Sequence, residues 1–246
     1  PHTVSDQVQV GVESFLTDGW FAGLEAYYRW FDGVVTNNFA EDPNREQDDL
    51  IAGTGVSYGA DLLVRRDTGR VRPTLSVSWL RAWRDFVDPS LGVDTSVVRY
   101  PPVFDRRLDI ELLLQAQLPG GVEAGVRWNY GSGLPFTRPL AGFSTFRYHL
   151  IDRRIGSDTP GDDDPVGVML GPRNAERYPA YHRLDLSFRR TWHKSWGTLT
   201  PYLDMVNVYN RRNVLFYFYE LDRSPPVRSG VSMFPFLPTI GVEFSF

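Results

Sequence analysis

The stretch Asp105-Arg-Arg-Leu-Asp-Ile-Glu-Leu-Leu-Leu-Gln-Ala-Gln-Leu118 alternates with a period of two. Leu108, Ile110, Leu112, Leu114, Ala116 and Leu118 fall on one side, and Arg107, Asp109, Glu111, Leu113, Gln115 and Gln117 on the other. Successive side chains of a β-strand point to opposite faces, so this stretch reads as a strand with one apolar and one polar face.

The same alternation recurs outward in both directions, and helical periodicity is nearly absent. Val4–Leu16, Trp20–Asp32, Gly55–Arg66 and Val71–Phe86 precede it; Val122–Ser132, Tyr181–Trp192, Thr198–Tyr209 and Pro238–Phe246 follow, the alternation of 198–209 being less clean. Together these make about nine strands of roughly 10–13 residues, where globular strands average ~5–6. A strand needs ~9–11 residues to cross the hydrocarbon of a bilayer at its tilt.

The connections alternate in length. Thr17–Gly19, Arg66–Arg70, Pro119–Gly121 and His193–Gly197 are tight, three of them carrying Asp-Gly, Thr-Gly or Gly-Gly. Between them lie long polar stretches near 33–52, 87–104, 133–180 and 210–236. Short turns on one side and long loops on the other describe an outer-membrane barrel. The expected fold class is therefore all-β, an antiparallel transmembrane β-barrel, with residues 1–246 forming one partial barrel domain.

Composition agrees with this and excludes other classes. The 246 residues are 42% hydrophobic, 14% aromatic and 23% charged, with a formal net charge of −4 and no Cys. The mean hydropathy of −0.30 looks soluble, but a barrel strand shows lipid only with every second residue. No run reaches the ~18–20 apolar residues of a membrane helix; the longest notable one is Val214–Tyr219. The net charge excludes a broadly cationic nucleic-acid binder. The absence of Cys removes disulfide scaffolds, Cys-ligated zinc, Fe–S clusters and thiol nucleophiles. Pro1–Val10 carries no targeting signal. Aromatics cluster near strand ends (Trp20, Tyr28, Trp30, Trp79, Trp83, Trp128, Tyr130, Tyr181, Trp192, Trp196, Tyr202), as interfacial girdles require. The competing fold is a β-sandwich or soluble barrel with these rings in its core.

An odd strand count has a consequence. Strict alternation of connections puts the end of the last strand on the short-turn side and the start of the first on the long-loop side. Single-chain bacterial barrels have an even number of strands. The chain is therefore expected to be the C-terminal part of a larger barrel, about two-fifths of one with ~22 strands.

Several motifs resemble the C-terminal barrel portion of TonB-dependent outer-membrane receptors. They are Tyr130-Gly-Ser-Gly-Leu-Pro-Phe136, Tyr178-Pro-Ala-Tyr-His-Arg-Leu-Asp-Leu186, Leu203-Asp-Met-Val-Asn-Val-Tyr-Asn210 and Pro238-Thr-Ile-Gly-Val-Glu-Phe-Ser-Phe246, with Asp105-Arg-Arg107 opening another strand. Their order and spacing cover most of the chain. The resemblance implies active uptake of a scarce nutrient, such as a metal chelate, cofactor or oligosaccharide, across the bacterial outer membrane. It implies as partners the lipid bilayer, an N-terminal barrel and plug part, the TonB complex, barrel-assembly machinery and a small ligand. Phe246 resembles the aromatic C-terminus that the assembly machinery reads, and is equally a last lipid-facing residue.

The polar faces supply the candidate lumen-facing residues: Glu25, Arg29, Asp61, Arg65, Asp109, Glu111, Arg127, Arg183, Asp185 and Arg189. Facing lipid, each Arg would cost ~2–4 kcal/mol near the midplane, which turns this face inward. These charges either touch a plug or solute, or pair with one another and stiffen the wall; pairing is expected for most. Asp162, Asp163 and Asp164, near Asp158, are weak Ca²⁺ candidates in the longest loop, but lack calcium-loop spacing. A solvated acidic loop is the simpler reading, as for Glu41–Asp49. His2, His149, His182 and His193 are scattered, and Gly131-Ser-Gly133 lacks the setting of a nucleophile elbow, so neither an enzyme nor a bound cofactor is expected. The rival functions are a small self-standing pore or adhesin-like barrel and, more weakly, an outer-membrane hydrolase.

Overall fold

The computed structural model describes residues 2–37, 50–87, 97–144, 147–149, 154–156, 166–221, 223 and 225–246. Nine long strands follow one another among them: β1 (Val4–Phe15), β2 (Trp20–Asn37), β3 (Leu50–Arg66), β4 (Val71–Val87), β5 (Leu108–Leu118), β6 (Val122–Gly131), β7 (Tyr181–Arg190), β8 (Gly197–Val206) and β9 (Leu237–Ser245). Each pairs antiparallel with the next, so the sheet is a meander in sequence order. The barrel is not closed: among the described residues, β1 and β9 each have one edge without a partner strand. Beyond Thr191 the strand β7 resumes as Trp192–Lys194 in unchanged register with β8, the Thr191 and Thr200 hydroxyls meeting at 3.0 Å.

Register carries the two faces across the sheet. Val12, Leu24, Leu62, Val77, Ile110, Tyr130 and His182 stand side by side on seven successive strands. On the opposite face, Gly11, Glu25, Asp61, Ser78, Asp109, Gly131 and Tyr181 form the row displaced by one residue along each of the seven strands. A sandwich would cover the apolar face with a second sheet. Here it is bare: Val10 is 70% exposed and Ile240 83%. Buried apolar residues among those described are Phe21, Val34, Ala82, Phe86 and Tyr100, none of them on that row.

Aromatic rings edge the bare face. Near the long-connection end, Tyr28 stacks on Tyr58 at 5.9 Å, Tyr58 meets Trp79 edge-on at 5.8 Å, and Trp128 stacks on Tyr130 at 6.1 Å. At the short-turn end Trp196 stacks on Phe244 at 5.3 Å.

The long connections are more ordered than expected. Stretch 33–52 contains the paired ends of β2 and β3, in register up to Asn37 opposite Leu50. Stretch 87–104 contains Val97–Tyr100, paired with the end of β4. Within 133–180, Pro135–Phe136 pairs with Glu176–Arg177, Pro139–Ser144 with Val166–Leu170, and Arg147–His149 with Arg154–Gly156. Within 210–236, Val214–Glu220 and Val227–Ser232 form a hairpin.

A reading by parity misses these because bulges reverse it. On β2, Asp32 faces Thr54 but Val34 faces Gly53, so one residue is skipped at Gly33. Below the bulge the polar face takes odd residues, from Gly23 to Phe31; above it the same face takes Val34 and Thr36. Similar shifts fall at Met169/Leu170 and Val214/Phe216. With 18 residues at ~3.3 Å each, β2 is about 60 Å long, far more than a ~30 Å hydrocarbon layer requires even at a tilt.

Gly33 holds the bulge with φ of 69°, its N–H donating to Asp32 Oδ1 at 3.0 Å and its carbonyl accepting from Thr3 Oγ1 at 2.9 Å. A Cβ there would strike the carbonyl oxygen of His2. Gly33→Val is expected to destabilise the sheet by about 1–3 kcal/mol, read as a lower denaturation midpoint; an unchanged midpoint would mean that the bulge relocates freely.

Candidate functional site

All ten polar candidates lie on one face of the sheet. Their pairing is uneven. Arg127 Nη2 lies 2.8 Å from Glu111 Oε1, and Arg183 Nη2 lies 2.8 Å from Asp185 Oδ2. Asp109 takes Arg106 at 2.7 Å, Arg29 donates to Gln7 Oε1 at 2.7 Å, and Arg65 sits 3.4 Å from Asp67 and 5.0 Å from the Phe21 ring. Glu25 and Asp61 face each other across β2 and β3, a like-charge pair with no cation within ion-pair distance among the described residues. Arg189 has no carboxylate partner there either. Among the described residues the wall is thus braced at Glu111, Arg127, Arg183 and Asp185 and carries bare charge at Glu25 and Asp61 on β2 and β3 and at Arg189 on β7.

Asp162, Asp163 and Asp164 lie outside the described residues, as do Asp158 and all of Glu41–Asp49. Among the described residues no group of three or more His, Cys, Asp or Glu is placed to hold a metal ion. His182 sits at the start of β7 on the apolar face, its Nδ1 2.7 Å from the Tyr209 hydroxyl. The ring is held by Tyr209, the two ring centroids lying 5.4 Å apart.

The long-connection end is built from polar clamps that join distant parts of the chain. Asp105, only 2% exposed, accepts the Ala82 N–H at 2.8 Å and a bond from Arg177 Nη2; Arg177 Nη1 also donates to the carbonyls of Asp105 at 2.7 Å and Gly133 at 2.9 Å. This ties β4 to the segment that leaves β6. Asn207, with φ of 56°, receives Arg211 N–H on Oδ1 and donates through Nδ2 to the carbonyls of Arg211 and Phe234, each at 3.0 Å. Its own N–H donates to Asp185 Oδ1 at 2.9 Å. Asn213 brackets His182, accepting its N–H at 3.1 Å and donating to its carbonyl at 2.9 Å. Asn tolerates the left-handed backbone that ends β8, so it can turn the chain and cap it at once.

Above the Gly33 bulge the polar face changes character. Val34, Phe86 and Tyr100 form a buried cluster with Phe31, Ile51 and Val98 packed against it, and the Phe86 and Tyr100 rings stack at 5.8 Å. Arg173 reaches in from the 133–180 segment, its Nη1 donating to Thr36 Oγ1 at 2.8 Å and to the Tyr100 hydroxyl at 3.0 Å. Asn174 locks that segment down, donating to the Pro101 carbonyl at 2.8 Å and to Thr137 Oγ1 at 2.9 Å. Two clefts flank the Arg173–Tyr100 partition. One, of about 300 Å³, is lined by Arg84, Pro102 and Val103. The other, of about 650 Å³, is lined by Ile51, Val98, Leu140, Val168 and Leu170.

Sequence reasoning missed these mouth residues. Arg84 is legible by counting on from Arg72 through Thr74, Ser76 and Ser78 on the same face of β4. Arg173 and Asn174 carry no periodic signal, because they act from a connection.

No protein-family model and no curated protein matches the chain. Solved structures do. P. aeruginosa FpvA, in an iron complex with a pyoverdine, matches over 97% of this chain and 26% of its own, with a TM-score of 0.55 and 9% identity. The FrpB iron transporter of Neisseria meningitidis matches over 97% and 30%, with a TM-score of 0.52 and 14% identity. Both are TonB-dependent outer-membrane transporters. The fold is that of part of an outer-membrane β-barrel. The chain spans less than a third of either matched chain, and at these identities the likeness is one of fold.

Beyond the aromatic edge, Arg99 Nε and Nη2 each donate to the Asp85 carboxylate at 2.7 Å and pin Val97–Tyr100 onto β4. These bonds hold the Asp85 carboxyl below its ordinary range, partly offset by burial. A lowered folded-state pKa gives stability that is present above the ordinary value of ~3.9 and is lost as pH falls through the folded value. Protection of the amides at 97–100, taken relative to their intrinsic exchange rates, is therefore expected to be high at neutral pH and to fall below about pH 4. Asp85→Asn is expected to make it low at all pH values; a pH-independent wild type would break the assignment.

Proposed function

We propose that this chain forms part of the wall of an outer-membrane receptor barrel that takes up a scarce nutrient in a TonB-dependent manner. The observation that carries this reading is the nine-strand meander with a bare apolar face edged by aromatics, aligned with transporter barrels over 97% of its length. The apolar face lies against the lipid of the bacterial outer membrane, and the charged face lines the lumen. The bare Glu25–Asp61 pair and Arg189 then meet a plug contributed from outside this chain, and the long connections face outward to receive ligand. Phe246, 98% exposed just beyond β9, offers an aromatic side chain to barrel-assembly machinery. Iron is common to the matched FpvA complex and the FrpB transporter, which makes a ferric chelate the first cargo to test, before a cofactor or an oligosaccharide.

Uptake of a radiolabelled ferric chelate by cells carrying the full-length protein tests the function. Accumulation that stops when the TonB complex is deleted is expected; equal accumulation in its absence would favour a passive pore instead. Orientation is tested by adjacent residues of β3. Leu62→Arg puts a cation on the apolar face and is expected to cost ~2–4 kcal/mol of folding into lipid vesicles. Leu63→Arg, on the charged face, is expected to cost much less, and a reversed order would turn the wall inside out.

A further inference from the structure

Among the described residues, Arg84 is a cation held without a counter-ion. Its guanidinium lies 4.5 Å from the Phe31 ring centroid and 5.7 Å from that of Phe104, and a Cβ on Gly55 would strike its Nη1. It is fixed between two rings against bare backbone, and no carboxylate among the described residues reaches it. Its Nη1 is buried with no hydrogen-bond acceptor. A structural arginine would be expected to spend its donors on a carboxylate or carbonyls, as Arg177 does with Asp105 and Gly133. Arg84 lines the cleft of about 300 Å³ instead. Across the Arg173–Tyr100 partition lies the larger cleft of about 650 Å³, whose walls are chiefly Ile51, Val98, Leu140, Val168 and Leu170. The two clefts share Phe86, Tyr100, Thr137 and Arg173.

We propose that these two compartments form one binding site for an amphipathic anion, which sets its aromatic or aliphatic group among Val98, Val168 and Leu170 and its acidic head against Arg84. The inference rests on the receptor reading for its biological meaning, since it names the chemistry of cargo received at the mouth. Charge complementarity selects the head: desolvating an anion at Arg84 supplies the partner that the guanidinium lacks. The apolar compartment is large enough for a bicyclic ring and offers it few hydrogen bonds. The ring-stacked geometry of Arg84 also fixes the charge in place before a ligand arrives, which reduces the ordering cost of binding.

The test is equilibrium binding to the full-length protein in lipid nanodiscs, with 2-naphthoate, neutral 2-naphthylmethanol and cationic 2-naphthylmethylamine as probes. The expected order of affinity is acid, then alcohol, then amine. Arg84→Gln is expected to weaken naphthoate about tenfold or more, as loss of a charged hydrogen bond does, and to change the alcohol by no more than about twofold. Val168→Trp fills the apolar compartment and is expected to weaken acid and alcohol alike; it stands alone as a test if Arg84→Gln fails to give a heat-modifiable, folded barrel. Naphthoate binding no tighter than the alcohol, or unchanged by both variants, overturns the site. Binding without energised uptake overturns the receptor reading and leaves the site; uptake without any probe binding overturns the site alone.

Discussion

A sheet whose apolar side faces hydrocarbon must satisfy its backbone donors and acceptors sideways, strand against strand, because lipid offers no hydrogen bonds. Most other features of this chain follow from that constraint. Strands run well beyond globular length and pair with their sequence neighbours from β1 to β9. Irregular backbone is confined to the ends, where water or protein can satisfy it. The break between Arg190 and Trp192 keeps its register and is bridged by two threonine hydroxyls.

The same constraint decides what the sequence reveals. A period of two survives wherever both faces are chemically distinct, so the nine strands are legible from residues such as Leu108–Leu118, and so is the common face of Glu25, Asp61, Arg127 and Asp185. It fails beyond Gly33, where a single skipped residue exchanges the faces and turns Val34 and Thr36 toward the charged side. It fails also for clamps between remote segments. Nothing local in Arg177 announces Asp105, 72 residues away, or in Asn213 announces His182. Such residues can be found from sequence only through a resemblance that carries their positions together, as Asp105-Arg-Arg107 and the Asn-bearing end of β8 do.

Wall and mouth are held by different physics. In the wall, charges sit on a broad face and pair at modest exposure, as Arg127 and Glu111 do, so each bridge adds little stability by itself. At the mouth, the Asp105 carboxylate is buried, and its loss would leave Arg177 facing two carbonyls and no counter-charge. The clamps of Asp105, Asn207 and Asn213 therefore fix where the long connections leave the sheet, while the wall below sets only its spacing.

The bulge at Gly33 acts as a frame shift between these two regions. Rows below it are fixed on both sides by neighbouring strands, and rows above it are counted afresh from Val34. Residues gained or lost in the upper part of the hairpin therefore alter which side chains meet the mouth without disturbing a single row of the wall. A hairpin built this way can change its upper part in length and sequence while the rows beneath it stay as they are.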